Sequence, residues 1–289
     1  MLDVYKFDSG SEGPNVLILG AIHGDEVCGP KAMARVIEAF EAQDLVLLKG
    51  AVTFIPVCNP KAYEQNVRFV DRNLNRYMSP ISAPRVYEDD LTNFLCPYLR
   101  QADVLLDIHS YFVGGAPFIF VDGARSPDIP FAKSLGPDHM VYGFTQAYQN
   151  ADEADSKEAA LEAMGTTEYM VQFGGYGVTL ECGQHQDPQS VVVAERAIYN
   201  GLKFLEMIEG DVQNTSNVEL VRVEKVFYAE DTLALSDSWV HLQPIKQGTE
   251  IARYEDGRVI AAEQDCVIFL PRACAQPGQE LFYLGQIED

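Results

Sequence analysis

The six cysteines, Cys28, Cys58, Cys96, Cys182, Cys266 and Cys274, form no C-x-x-C pair. Scattered thiols suit a reduced compartment rather than a disulfide framework. No apolar run approaches the roughly 20 residues that a membrane span needs. The first residues, Met1-Leu2-Asp3-Val4-Tyr5-Lys6, lack a basic stretch followed by an apolar one, so no secretory leader and a cytoplasmic location are expected. Basic residues are scarce: 21 Lys and Arg stand against 43 Asp and Glu, a formal net charge of −22. That excess argues against nucleic acid or an anionic membrane as partner. Any anionic ligand would have to meet a local basic pocket. Arginine is absent from the whole stretch between Ser126 and Glu195, where only Lys133 and Lys157 are basic.

What is present is a core and a pattern. The chain has 289 residues, 47% of them hydrophobic, enough for one large or two modest domains. Continuous apolar runs at Val16–Leu19, Ala51–Val57, Val104–Ile108, Phe118–Val121 and Val178–Leu180 read as strands covered on both faces. Helical spacing lies between them, over Pro30–Phe40 and Ser190–Ile208. This alternation predicts an α/β fold, a mixed sheet flanked by helices. Ligands of such sheets bind beyond the carboxyl edges of the strands. The polar stretch 210–217 marks the expected boundary between a catalytic domain, 1–210, and a smaller C-terminal all-β domain, 211–289. Its short runs Leu220–Val223, Val226–Tyr228 and Val267–Leu270 are separated by Gly, Pro and Asp turns. The acidic segment 151–165 reads as a helix, on a solvated face or as a lid.

Two segments carry the chemistry. Gly20-Ala21-Ile22-His23-Gly24-Asp25-Glu26 puts an H-x-x-E pair after the first apolar run, and Asp107-Ile108-His109-Ser110 puts a lone histidine at the end of another. Two imidazoles and one carboxylate are a three-ligand set for a catalytic zinc, whose fourth position stays open. Taken singly, each residue is better read as a turn, a solvated carboxylate or a core histidine. Arg68-Phe69-Val70-Asp71-Arg72-Asn73-Leu74-Asn75-Arg76 gathers three arginines, the residue type suited to bidentate carboxylate recognition, or else a surface ion-pair network. Val178-Thr179-Leu180-Glu181-Cys182-Gly183 ends a strand on a carboxylate, which can act as a base close to a metal without binding it. His139, His185 and His241 have no ligand spacing, and Cys182 reads as packing.

Together, His23/Glu26, His109, Arg68 with Asn75-Arg76, and T-L-E-C-G around Glu181 resemble the succinylglutamate desuccinylase/aspartoacylase family, which is related to the zinc carboxypeptidases. The resemblance covers essentially the whole chain and implies the following roles. His23, Glu26 and His109 would bind one zinc ion per chain. Arg68 would polarise the scissile carbonyl, and Asn75 and Arg76 would hold the substrate carboxylate. Glu181 would act as general base on the zinc-bound water, so that a small N-acyl amino acid is hydrolysed to a carboxylate and an amine. Two departures stand out. The family commonly shows D-L-N-R where this chain has Asn73-Leu74-Asn75-Arg76. Aspartoacylases also grip the acidic substrate side chain with a further arginine upstream of the catalytic glutamate, in the stretch that has none here. A neutral, aromatic or cationic substrate side chain is therefore expected, an acylated diamino acid being one candidate. The alternatives are a metallocarboxypeptidase acting on short peptides, an esterase or other small-molecule deacylase, and a non-catalytic metal-binding scaffold. The donor set would also accept cobalt, nickel or manganese. A homo-oligomer is compatible with the sequence.

Overall fold

The computed structural model describes residues 2–121, 123, 128–151, 164–212 and 218–288. The acidic segment expected to be helical falls mostly outside these residues, as do Lys157 and residues 213–217. The elements run β1 (Tyr5–Asp8), β2 (Asn15–Gly20), α1 (Cys28–Glu41), β3 (Ala51–Ile55), α2 (Pro60–Gln65), α3 (Tyr87–Gln101), β4 (Val104–Tyr111), β5 (Phe118–Phe120), α4 (Ile129–Leu135), β6 (His139–Tyr142) and α5 (Phe144–Ala151). They continue as α6 (Thr166–Met170), β7 (Tyr176–Gln184), α7 (Pro188–Phe204) and β8 (Glu219–Tyr228), then β9 (Leu233–Leu235), β10 (Gln243–Ile245), β11 (Glu250–Tyr254), β12 (Val259–Ala261), β13 (Cys266–Phe269) and β14 (Glu280–Glu288). No helix of the described residues is long and apolar enough to cross a membrane.

Eleven strands form one mixed sheet in the order β1-β3-β2-β4-β7-β5-β6-β8-β14-β13-β10. Strands β3, β2, β4 and β7 pair in parallel at its centre, and β5 runs antiparallel to β7. The five expected strands all lie in this sheet. Side chains alternate between its faces. Val16, Ile18, Val104, Leu106, Ile108, Val178, Leu180 and Cys182 face one core, shared with α1, α4 and α7. Leu17, Leu19 and Leu105 face the other, beneath α3 and α6. The same alternation puts Asp107, His109 and Glu181 on the α3/α6 face. Strands β4 and β7 align His109 with Glu181 as direct register partners.

The part of the chain after the expected boundary contains only strands among its described elements. They are not set apart from the main sheet. Strand β8 pairs in parallel with β6, and β14, β13 and β10 follow, so the sheet continues through the boundary. An edge strand presents unpaired backbone groups, and β8 covers the one that β6 would otherwise leave. Strand β8 also runs unbroken through Glu224-Lys225, where the sequence suggests two short runs, because these polar residues lie at half-buried and exposed positions. A second, three-stranded sheet, β12-β11-β9, packs beside it.

Candidate active site

The turn after β2 builds the first part of the site. Ala21 takes a left-handed backbone, φ 44°, and the Glu26 amide donates to the His23 carbonyl at 3.2 Å, folding H-x-x-E back on itself. Gly24 allows that turn to lie against α2: a Cβ there would come within 2.1 Å of the Ala62 carbonyl carbon. His23, Glu26 and His109 are all buried, and their ligand atoms lie within 4.8 Å of one another. Glu26 joins the two rings. Its Oε1 is 2.8 Å from His23 Nδ1, and its Oε2 is 2.8 Å from His109 Nδ1. The Ser110 amide donates to Oε2 at 3.1 Å, and Arg68 Nη1 to Oε1 at 3.1 Å.

The protons of His23 can be assigned. Asn73 Oδ1 accepts from the Asn75 amide at 2.9 Å, so it is the acceptor atom of that side chain. His23 Nε2 lies 2.9 Å from the same oxygen and must carry the ring proton. Burial, with Arg68 beside it, lowers the His23 pKa to about 4, so the ring is neutral and Nδ1 presents a bare lone pair. That lone pair faces the Glu26 carboxylate. A metal ion held by His23, Glu26 and His109 would sit between that lone pair and the carboxylate. His109 meets the other oxygen of Glu26. Its Nδ1 faces Glu26, while its Nε2 is 3.0 Å from Asp107 Oδ2, off the line of a hydrogen bond. Outer partners of this kind fix the orientation of ligating histidines. Burial alone would lower the His109 pKa, but Asp107 and Glu26 hold it well above the ordinary value. Burial alone would raise that of Glu26, but the two imidazoles keep it well below the carboxylate range.

Glu181 stands next to this cluster with one carboxylate oxygen, Oε2, enclosed and without a hydrogen-bond partner. Burial, then the nearby Glu26 charge, pushes its pKa up to about 8. A carboxyl group poised near neutrality is suited to accept and return a proton. His23, Arg68, Asn75, Arg76, His109 and Glu181 line one cleft, with Glu26 behind them.

The arginine-bearing loop divides into working and supporting parts. Arg76 lines the cleft, donates to the Asn75 carbonyl and makes no ion pair with a carboxylate among the described residues. Arg72 is instead a staple, bound to Asp89, Thr92 and the Arg76 carbonyl. Asn75 Oδ1 accepts from the Thr166 amide at 2.9 Å and so pins the start of α6; its amide nitrogen is left to donate. Sequence reasoning missed the anchor of the loop. Glu88, fully buried in α3, accepts from the Val70, Asp71 and Arg72 amides and from Asn59. Nothing in the sequence distinguishes it from a solvated first-turn glutamate. His185 also lines the cleft, with Nδ1 2.8 Å from Ser110 Oγ.

A family model of the succinylglutamate desuccinylase/aspartoacylase catalytic domain matches residues 12–208, about two thirds of the chain. The chain belongs to this family. It is 26% identical over 268 residues to the N-alpha-acetyl-L-2,4-diaminobutyric acid deacetylase of Halomonas elongata, covering 85% of this chain and 71% of that protein. It is 28% identical over 125 residues to a probable aspartoacylase of Prochlorococcus marinus, covering 42% and 41%. Among solved structures, succinylglutamatedesuccinylase/aspartoacylase from Rhodobacter sphaeroides superposes with a TM-score of 0.79 at 17% identity, over 100% of this chain and 89% of that one. The product-bound ectoine utilization protein EutE (DoeB) from Ruegeria pomeroyi gives 0.76 at 19% identity, over 98% and 88%. These likenesses share the mixed α/β fold.

Proposed function

We propose that this protein is a zinc-dependent amidohydrolase that removes the acyl group from an N-acyl amino acid. The observation that carries the reading is the buried His23–Glu26–His109 cluster, whose neutral His23 lone pair faces a carboxylate while Glu181 lies alongside. The family membership supports the reaction class, and the name of the Halomonas relative supports an N-acyl amino acid as substrate.

His23, Glu26 and His109 would hold the ion, with Asn73 and Asp107 orienting the two rings. When bound, zinc supplies Lewis acidity, which polarises the amide carbonyl and makes water nucleophilic near neutral pH. Arg76, with the free amide nitrogen of Asn75, binds the substrate carboxylate and so fixes the amide over the cluster. Arg68 lies at the mouth of the cluster, where its guanidinium stabilises the charge that develops on the carbonyl oxygen. Glu181 takes a proton from the attacking water on its unpartnered Oε2 side and delivers it to the leaving amine. The products are a carboxylate and a free amino acid.

The test is hydrolysis across N-acyl amino acids and dipeptides, with added zinc and with a chelator. Chelator-sensitive release of amino acid from the N-acyl compounds is the expected result; cleavage confined to dipeptides would instead assign a carboxypeptidase. Glu181→Gln should keep zinc stoichiometry while kcat falls by about 100-fold or more. Full turnover in that variant would remove Glu181 from the mechanism.

A further inference from the structure

The cleft has a second wall, contributed by α5 and by β14, close to the C-terminal end of the chain. Tyr148, Tyr283 and Glu280 lie on it and line the cleft. The Tyr148 hydroxyl donates to Glu280 Oε1 at 3.1 Å. The Tyr148 and Tyr283 hydroxyls are 2.7 Å apart. Because Tyr148 spends its proton on Glu280, Tyr283 must donate to Tyr148. The chain of hydrogen bonds is therefore directed, Tyr283 to Tyr148 to Glu280, and it ends on a carboxylate. Burial, with Glu280 nearby, raises the pKa of Tyr148, and burial raises that of Tyr283, so both stay protonated and hold this direction.

Glu280 has no ion pair with a lysine or arginine among the described residues, and its bond from Tyr148 is to Oε1. The surrounding faces are aromatic. Phe144 packs edge-on to Tyr283 with centroids 5.1 Å apart, and Phe120 to Phe144 at 4.9 Å. A carboxylate set among aromatic faces attracts a cation through both the charge and the ring quadrupoles. An anionic ligand group there would meet repulsion from Glu280. Arg76 is the nearby counterpart. Its charge acts on both Tyr148 and Tyr283, opposing the rise in their pKa, although it makes no ion pair with Glu280. The cleft thus carries a guanidinium and a carboxylate that do not pair with each other. That combination matches an amino acid that bears a carboxylate and a second, positive group.

We infer that Glu280, oriented by Tyr148 and Tyr283, recognises a positively charged side chain on the substrate, so that the preferred substrates are N-acyl derivatives of diamino acids. This inference rests on the deacylase reading for its reaction but not for its binding. The groups that make the selection come from segments more than a hundred residues apart in sequence.

The experiment uses the full zinc-loaded chain, as wild type, Glu280→Gln and Tyr148→Phe. Substrates are Nα-acetyl-2,4-diaminobutyrate, its neutral isostere Nα-acetylnorvaline, and N-acetylaspartate. Wild type should favour the cationic compound over the neutral one, by kcat/KM, by about 10-fold or more, and should disfavour the acidic one. Glu280→Gln should cut the cationic-to-neutral ratio by about 10-fold, mainly through KM, and Tyr148→Phe by about threefold. Calorimetry supplies a readout without turnover: 2,4-diaminobutyrate should bind wild type more tightly than 2-aminobutyrate, and Glu280→Gln should erase the difference. A ratio that Glu280→Gln leaves within about twofold of wild type, or a wild-type preference for N-acetylaspartate, overturns the subsite while leaving the deacylase standing. Selective diamino-acid binding without hydrolysis of any N-acyl compound overturns the deacylase reading and leaves the subsite standing.

Discussion

Asn73 offers the sharpest test of how the proposed metal site is prepared. Its Oδ1 accepts from His23 Nε2 and from the Asn75 amide, each at 2.9 Å. The first bond fixes the ring proton on Nε2 and leaves Nδ1 free to bind; the second holds Asn73 in place. Asn73→Ala removes both. Each net hydrogen bond is worth about 0.5–1.5 kcal/mol, so the metal-free protein should lose about 1–3 kcal/mol of stability. Loss of an outer partner of a ligating histidine typically weakens metal binding by about 10–100-fold, or about 1.4–2.8 kcal/mol. Asn73→Asp keeps both acceptor roles and adds a negative charge behind the ring, so it should bind zinc as tightly as wild type or by up to about 10-fold more tightly. Competition for zinc against a chelating fluorophore, on substrate-free protein, measures all three. An alanine variant that holds zinc within about twofold of wild type would refute the role. An aspartate variant that binds more weakly than wild type would show that neutrality at this position is required, contrary to the argument.

Two further outcomes are expected elsewhere in the fold. Glu88→Ala leaves three backbone amides of the arginine-bearing loop without their buried carboxylate, each a bond to a charged group worth about 1.5–3 kcal/mol. Urea unfolding should register a loss of at least about 2 kcal/mol, and KM should rise as Arg76 loses its support; an unchanged midpoint would show that the loop is held by other contacts. His241 is buried among aromatic rings and accepts from the Leu270 amide, and burial, with His139 nearby, lowers its pKa from 6.5 to about 3. Between those values the unfolded chain binds a proton that the native ring refuses. The contribution to stability is therefore intact above the unfolded value and declines on acidification, by about 1.4 kcal/mol per pH unit, until the native value is reached. His241→Phe should flatten that part of the stability profile between pH 6 and about 4, and a slope identical to wild type would exclude His241 as its source.

The parts of the site that were legible in the sequence are those whose chemistry and local structure coincide. His23 and Glu26 follow a buried apolar run, His109 ends another, and Glu181 ends a third, so strand periodicity places all four at the ends of buried strands. The lateral order of the strands could not be read in that way. That β4 lies beside β7, and so His109 beside Glu181, is a long-range pairing; the family resemblance implied a role for Glu181 but not which strands pair. The resemblance also drew attention to Asn73 as a departure, but not to its bond with His23. The supporting shell was invisible for a different reason: Glu88 and Asp107 belong to a residue type that is usually solvated, and only their enclosure makes them anchors.

The C-terminal strands carry this argument furthest. Their short runs and turn residues predict β structure correctly, yet pattern says only that a strand is half-buried, not which sheet it joins. Here β8 pairs with β6, and β14 follows beside β8, which carries Tyr283 and Glu280 to the wall that Tyr148 approaches from α5. The segment expected to form a smaller β domain thus contributes to the cleft itself. The physical consequence is a division of labour along the sheet. In the proposed reaction, its parallel centre supplies the groups assigned to the amide bond, while its antiparallel extension supplies those assigned to the rest of the ligand. Changes on β14 are therefore expected to alter the choice of substrate without disturbing the His23–Glu26–His109 cluster, because the two sets of side chains share a cleft but no hydrogen bond.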